Sequence, residues 1–390
     1  MSIALSLRGR DLPVNKIHGF KEHAKTLECR VSEELRIDVS VGEPKEDPPI
    51  SAIIGATTAF KEHYNGYGPG EGDRDLRNAV ASLLQTKYDL PYTASEILIM
   101  PGSRFAIAAA MYTLCNQGQN IIIPQPYWAG YTEIANILDV RWKSPSGLDV
   151  RAETIDSFLG NGSAGILLNS PNNPSGRIIN PKEMKRIADS AHEWNIGIIS
   201  DEAYRDYMRS TETYTPFASV SKKALEQTIE IFSFSKSLAV CGWRISALAV
   251  KDTRVYKSLK NICWGLLTCA ALPLQRGVLA GLADLGEFTK EQAARYEERA
   301  HAFEDIIHKN TRVVAVSSQG GIFSYVDISS SGMKSQRFCE EFYIQQGVLA
   351  MPGIFFGDAQ DNYIRISLIQ PPQKMAEVGN RLLTMTAESL

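Results

Sequence analysis

The chain lacks the features that would mark it for an unusual setting. Its six cysteines, Cys29, Cys115, Cys241, Cys263, Cys269 and Cys339, form no CxxC pair and no paired spacing with histidine. That argues against a zinc site or a disulfide framework, and no metal is expected. Each cysteine sits among apolar neighbours, so they read as buried free thiols. No apolar run reaches the roughly 20 residues that span a bilayer. The start, Met1 to Arg10, is too short and too polar for a signal peptide. No internal repeat or low-complexity linker is visible. Neither sign of charge dominates, since 41 basic and 44 acidic residues leave a net charge of −3. Nucleic acid and membrane are therefore not expected partners. The expected compartment is the cytoplasm.

What is present is ordinary globular composition, with 44% hydrophobic and 22% charged residues in 390. That length suits two lobes. His18 to Glu34 reads as helical, and Ile37–Val41 alternates like a strand. Ile50 to His63 has helical periodicity, and a glycine-rich loop, Tyr64 to Gly72, opens into a helix from Asp73 to Tyr88. From Glu96 onward short apolar runs alternate with helical patterns. The runs are Ile97–Met100, Asn120–Ile123, Val140–Trp142, Gly165–Asn169, Ile196–Ser200, Ile229–Phe232 and Ser246–Val250. This is the pattern of a mostly parallel sheet covered on both faces by helices, an α/β fold. In such sheets ligands bind beyond the carboxyl ends of the strands. Polar turns fall there repeatedly, after Met100, Ile123, Leu168, Ser200 and Phe232.

The last part changes character. A helical region from about Asp252 to His308 breaks near Pro273 and Gly286. Arg312–Val316, Ile322–Ile328 and Tyr363–Leu368 read as strands, with helices 335–346 and 373–388. The expected division is 1–45 as a segment joining a small α+β domain, 46–285 as a large domain, and 286–390 as the C-terminal small domain.

The chemistry concentrates in Phe232-Ser233-Phe234-Ser235-Lys236-Ser237, continued by Gly242-Trp243-Arg244. A lysine in an apolar setting loses its proton and becomes a nucleophile towards an aldehyde. Two serines and an arginine make a receptacle for a phosphate. Aldehyde and phosphate together describe pyridoxal phosphate. By itself the stretch also reads as a surface turn with a solvated lysine, and the other turns have to decide.

Taken together, the turns resemble the class I and II aminotransferases of pyridoxal phosphate fold type I, the aspartate aminotransferase superfamily. The resemblance runs from Val39-Ser40-Val41-Gly42-Glu43-Pro44 to Tyr363-Ile364-Arg365-Ile366-Ser367. It implies a large domain with a seven-stranded-type sheet and pyridoxal phosphate as cofactor. Lys236, in Ser-x-Ser-Lys, takes the place of the Schiff-base lysine and general base. Asp201, in Asp-Glu-Ala-Tyr, takes that of the partner of the pyridine nitrogen. Tyr204, and Asn173 in Asn-Asn-Pro-Ser-Gly, correspond to donors to the ring oxygen, and Trp128 to the aromatic that stacks on the ring, with Tyr127 as its competitor. Gly102, Ser103, Arg104, Ser233, Ser235 and Arg244 correspond to the phosphate site. Tyr67 resembles a tyrosine that reaches the phosphate of a neighbouring subunit, which implies a homodimer with shared active sites. Arg365, with Asn173 and Gly42, matches the substrate carboxylate site.

The resemblance implies transfer of an amino group from an α-amino acid to a 2-oxo acid. A lyase, cyclase or decarboxylase of the same fold needs the same residues, and a non-catalytic regulatory protein is a third reading. Three departures stand out. Ser246 replaces a frequent glycine, and Arg104 is bulkier and more charged than its place suggests. No motif supplies a second arginine for a dicarboxylate side chain, and Cys263–Leu267, the region that would hold it, is apolar.

Overall fold

The computed structural model describes residues 14–309 and 312–387, together with positions 3, 6, 9 and 12. Most of Met1–Arg10, and the expected helix end at residue 388, lie outside the described residues.

A short strand, β1 (Ile37–Asp38), comes first. The next seven are β2 (Ile97–Met100), β3 (Asn120–Ile122), β4 (Arg141–Lys143), β5 (Ser163–Asn169), β6 (Gly197–Asp201), β7 (Thr228–Ser233) and β8 (Ser246–Ala249). They make one sheet in the order β2-β8-β7-β6-β5-β3-β4. Only β8 runs against its neighbours β2 and β7, and the other pairs are parallel. The expected mostly parallel sheet is therefore present. Parallel neighbours need crossovers, and helices Gly130–Leu138, between β3 and β4, and Pro181–Glu193, between β5 and β6, supply them, while Ser103–Leu114 links β2 to β3 across the sheet. They also cover the faces. Leu167, Ile199 and Ile231 pack on one side with Ile107 and Met111. Ile166, Leu168 and Ile198 pack on the other with Met184 and Ile187. Burial on both faces explains why the strands read as unbroken apolar runs and not as alternation.

The remaining strands are β9 (Val314–Ala315), β10 (Phe323–Asp327), β11 (Val348–Leu349), β12 (Met351–Pro352) and β13 (Tyr363–Ser367). Four of them form an antiparallel sheet, β12-β13-β10-β9, while β11 pairs in parallel with β1. The early chain is thus fixed to the late chain. Val39 donates to the Leu349 carbonyl, and its own carbonyl accepts from the Ser367 N–H. These bonds set residues 40–42 beside Arg365.

Several expected boundaries shift, each for a local reason. The helix expected over His18–Glu34 is Lys16–Leu27, followed by 3-10 turns at Glu28–Arg30 and Glu33–Leu35. Between those turns Val31 is extended and buried. Arg36 donates to the carbonyls of Glu28 and Val31, capping the chain as it turns. The strand expected over Ile37–Val41 stops at Asp38, whose carboxylate accepts from the Ser40 N–H and hydroxyl and curls the chain. The long helical region is broken near Pro273 and Gly286, as expected. The helices are Thr253–Leu267, Leu272–Gly281 and Leu285–Ile307. Pro273 lies in a first turn, where its missing N–H is no loss. The first break comes just before it, where the chain turns at Thr268 with φ +65°, and the second at 282–284, just before helix Leu285–Ile307. Of the strand expected over Arg312–Val316, only Val314–Ala315 pairs.

Helix Leu285–Ile307 packs against the C-terminal helix over a core that includes Phe20, Phe303 and Val326. Phe303 is fully buried there. Phe303→Ala should therefore cost roughly 3–5 kcal/mol of unfolding free energy, read as a lower denaturant midpoint.

Candidate active site

The carboxyl ends of β5, β6 and β7 open into a cavity of about 500 Å³, closed on the far side by residues 41–42, Phe323 and Arg365. Lys236 enters it from the one-turn helix Phe234–Ser237 that follows β7. Its main chain is clamped. The Tyr207 hydroxyl donates to the Lys236 carbonyl at 2.7 Å, and the Ser237 hydroxyl to Asp206 at 2.7 Å. The ε-amine donates to the Gly42 carbonyl at 2.7 Å and lies 3.6 Å from Cys241 Sγ. Burial pushes the amine below the usual lysine range, because the cavity solvates an ammonium poorly. The shift favours the neutral, nucleophilic form of the amine.

Asp201 ends β6 facing the same cavity. Its Oδ2 accepts from the Tyr131 hydroxyl at 2.6 Å, and its Oδ1 from the Ala203 N–H at 3.2 Å. Burial pushes the carboxyl up, and these donors and the Lys236 charge oppose it. Sequence reasoning missed Tyr131. It packs edge-on against Trp128, three residues before it, at 5.3 Å. Asn173 is fixed by its N–H, which donates to Asn169 Oδ1 at 2.7 Å. The Asn173 amide donates to the Tyr204 hydroxyl at 3.4 Å. Burial raises the Tyr204 phenol as well, so it remains a donor.

Arg365 comes from β13 and is fully enclosed. Its guanidinium donates to Asn173 Oδ1 at 3.0 Å and to the Ser40 carbonyl, and lies 4.4 Å from the Phe323 ring centroid and 4.9 Å from that of Phe356. Its Nε has no partner. No described carboxylate is within ion-pair distance of it, and burial pushes it down to about 10. At neutral pH it is still a cation, buried without a counter-charge. Such a group binds an anion strongly.

At the other end stands the first turn of helix Ser103–Leu114. Gly102 caps it at φ +84° with no side-chain cap, which leaves the first backbone N–H groups facing outward. Arg244 packs so closely here that a Cβ on Gly102 would lie 2.3 Å from its Nη2. Ser103, Ser233, Ser235 and Arg244 all line the cavity. So does Trp128, whereas its competitor Tyr127 does not. Arg104 lines the mouth but is committed elsewhere. It pairs with Glu133 at 3.2 Å and lies 4.6 Å over the Trp128 ring. Tyr67 is 90% exposed and stands apart from this cavity. Gly42 is needed because Phe323 approaches to 2.2 Å of where a Cβ would be.

These groups fit pyridoxal phosphate. A phosphate suits the Gly102 cradle with its free N–H groups and Arg244. A protonated ring nitrogen suits Asp201, whose raised carboxyl would be held ionised by a neighbouring cation. Asn173 and Tyr204 supply donors for the ring oxygen, and Lys236 supplies the amine for the aldehyde.

A sequence model described as Aminotransferase class I and II matches residues 36–382. The chain is 27% identical over 383 residues to an aspartate aminotransferase of Pyrococcus horikoshii, covering 94% of this chain and 93% of that protein. It is 27% identical over 390 residues to a probable N-acetyl-LL-diaminopimelate aminotransferase of Bacillus subtilis, covering 98% and 95%. Among solved structures, an aspartate aminotransferase from Rhizobium meliloti superposes with a TM-score of 0.93 at 19% identity, covering 99% of both chains. An aromatic aminotransferase from Pyrococcus horikoshii OT3 gives 0.87 at 24% identity, covering 93% of this chain and 99% of that one. At these identities the structures establish the fold.

Two outcomes are expected. Tyr131→Phe removes a donor to Asp201, so that carboxyl rises further. Cofactor affinity should then fall away at a pH about one unit higher on the acid side, read by titrating apoprotein at several pH values. Gly102→Ala forces a side chain onto Arg244 at a positive φ, and should release cofactor on dialysis at least ~10-fold faster.

Proposed function

The chain belongs to the class I and II aminotransferases, and from that membership we propose how its own residues divide the work. It is a pyridoxal phosphate-dependent transferase acting between amino acids and 2-oxo acids. When bound, the cofactor supplies an aldehyde that takes the amino group and a ring that accepts electrons from the substrate Cα. Residues 46–285 would form the cofactor-binding unit, with 1–45 and 286–390 supplying the wall that carries Gly42 and Arg365.

In this reading Gly102, Ser103, Ser233, Ser235 and Arg244 hold the phosphate. Asp201, oriented by Tyr131, keeps the ring nitrogen protonated. Asn173 and Tyr204 donate to the ring oxygen, and Trp128 flanks the ring. Lys236 holds the aldehyde carbon at rest, then as a free amine carries a proton away from the substrate Cα. Arg365 takes the substrate α-carboxylate, with Asn173 and Gly42 beside it. The observation that carries the reading is the shared cavity, which joins an amine that burial pushes below the usual lysine range, a carboxylate, and a guanidinium without a counter-charge.

For the substrate side chain we favour an uncharged group. Arg104 at the mouth is already neutralised by Glu133. Ile17 and Phe323 contribute apolar wall.

We also propose a homodimer. Ile50, Ile54 and Phe60 on one helix, with Tyr67, Trp264 and Leu266, leave large apolar side chains at least half exposed. A groove of about 460 Å³ runs between helices Ile50–Lys61 and Leu272–Gly281. A second copy would cover this face and bring Tyr67 to the partner's phosphate site. The six cysteines are free, in keeping with the cytoplasm. No described helix is long and apolar enough to cross a membrane.

Loaded enzyme mixed with one amino acid should yield the matching 2-oxo acid in an amount equal to enzyme, detected by mass spectrometry. Ammonia or carbon dioxide in its place would overturn the reading. Lys236→Ala should give no product while still binding cofactor non-covalently. Arg365→Ala should raise KM for amino acids roughly 100-fold. Aspartate turning over faster than apolar amino acids would exclude the substrate assignment.

A further inference from the structure

Lys236 has to do two things in sequence: hold a carbon covalently, then wait free nearby and move a proton. Its main chain is fixed by Tyr207 and Ser237. The end of its four-carbon stem is not, and among the described residues two contacts hold the amine. One is the Gly42 carbonyl at 2.7 Å, from a segment 194 residues away in sequence. The other is Cys241 Sγ at 3.6 Å, five residues on in the same turn.

The geometry of Cys241 suits an acceptor. The chain folds back after Lys236 because Ala239 takes a left-handed φ of +55° and donates to the Lys236 carbonyl at 3.0 Å. This brings Cys241 over the lysine stem. The thiol hydrogen goes to the Ser235 carbonyl, with Sγ and O 3.1 Å apart. The sulfur lone pairs are then left for the amine. The longer C–S bond lets sulfur reach where a serine hydroxyl would fall short. The Gly42 contact exists only while residues 39–42 are seated against β13. The Cys241 contact lies wholly within the turn that carries the lysine and does not depend on that seating.

We propose that Cys241 is a positioning residue for Lys236, its sulfur holding the released ε-amine at the cavity wall within reach of the proton it has to move. The inference rests on Lys236 being the reacting amine. Other groups facing it are Asp201, Glu43 and Arg365, with the Tyr204 hydroxyl close by. The first two favour the ammonium and Arg365 disfavours it. Beside the Gly42 carbonyl, Cys241 Sγ is the side-chain acceptor in reach of the amine, so replacing it alters the amine's hydrogen bonding directly.

The test uses apoprotein and loaded enzyme of wild type, Cys241→Ala and Cys241→Ser. In apoprotein, trinitrobenzenesulfonate labelling of Lys236 is followed against pH by peptide mass. Loss of an acceptor favours the neutral amine, so Cys241→Ala should label about threefold faster at pH 7. Cys241→Ser should fall between it and wild type. In loaded enzyme, Cys241→Ala should lower kcat about tenfold and leave KM for the amino acid within about twofold, because the thiol touches the lysine and not the substrate. An unchanged labelling profile, or a loss carried by KM alone, overturns the proposal. If Cys241→Ala does not fold, the near-isosteric serine variant decides on the same two readouts. If wild type makes no 2-oxo acid, the functional reading fails, and the labelling profile still judges the contact between Cys241 and Lys236.

Discussion

Lys236, Asp201 and Arg365 are ionisable groups taken out of water into one cavity, and the difficulty of burying charge is the constraint on which the rest of the site depends. Each is pushed towards its neutral form by enclosure. Each is held by uncharged partners and not by a counter-ion: Gly42 and Cys241 for the amine, Tyr131 and Ala203 for the carboxylate, Asn173 and Ser40 for the guanidinium. Such partners orient the groups without neutralising them. A lysine salt-bridged to a carboxylate would remain an ammonium and could not attack an aldehyde. An arginine already paired would have little left for a substrate carboxylate. Arg104 shows the contrast, since it has its own glutamate and its charge is spent locally.

That arrangement requires the cavity to be walled from distant parts of the chain. The parallel sheet brings the turns after β5, β6 and β7 to one edge, which accounts for Asn173, Asp201 and Lys236. The opposite wall comes from β13 and from residues 39–42, brought together by the pairing of β1 with β11 and the bonds of Val39 to Leu349 and Ser367. Gly42 and Arg365 therefore depend on a junction between the two ends of the chain. Phe323 lies so close to Gly42 that only the absence of a side chain admits the contact. Packing and chemistry are one requirement at this point.

The polar turns at strand ends were legible because a buried parallel sheet has a strong signature, unbroken apolar runs separated by helices, and because chemistry collects at its carboxyl edge. Lys236, Asp201, Asn173 and Arg365 all stand in such turns or in a strand with a distinctive neighbourhood, and the structure brings them into one cavity. Tyr131, Tyr207 and Cys241 were not legible. A tyrosine or cysteine in an apolar stretch is ordinarily core, and nothing local distinguishes one whose polar atom meets a functional group across space. A helix end was misplaced where a nearby side chain took up backbone carbonyls, as Arg36 does with Glu28 and Val31.

The sequence by itself determined the sheet, the order of its turns and the kinds of group those turns present, because periodicity and turn chemistry are local and survive without neighbours. The tertiary structure alone decided the electrical state of these groups. Whether an amine is neutral, a carboxylate ionised or a guanidinium free to bind an anion depends on water excluded and partners supplied by residues up to 325 positions away, as between Ser40 and Arg365. Desolvation acts through space, and no spacing along the chain records it.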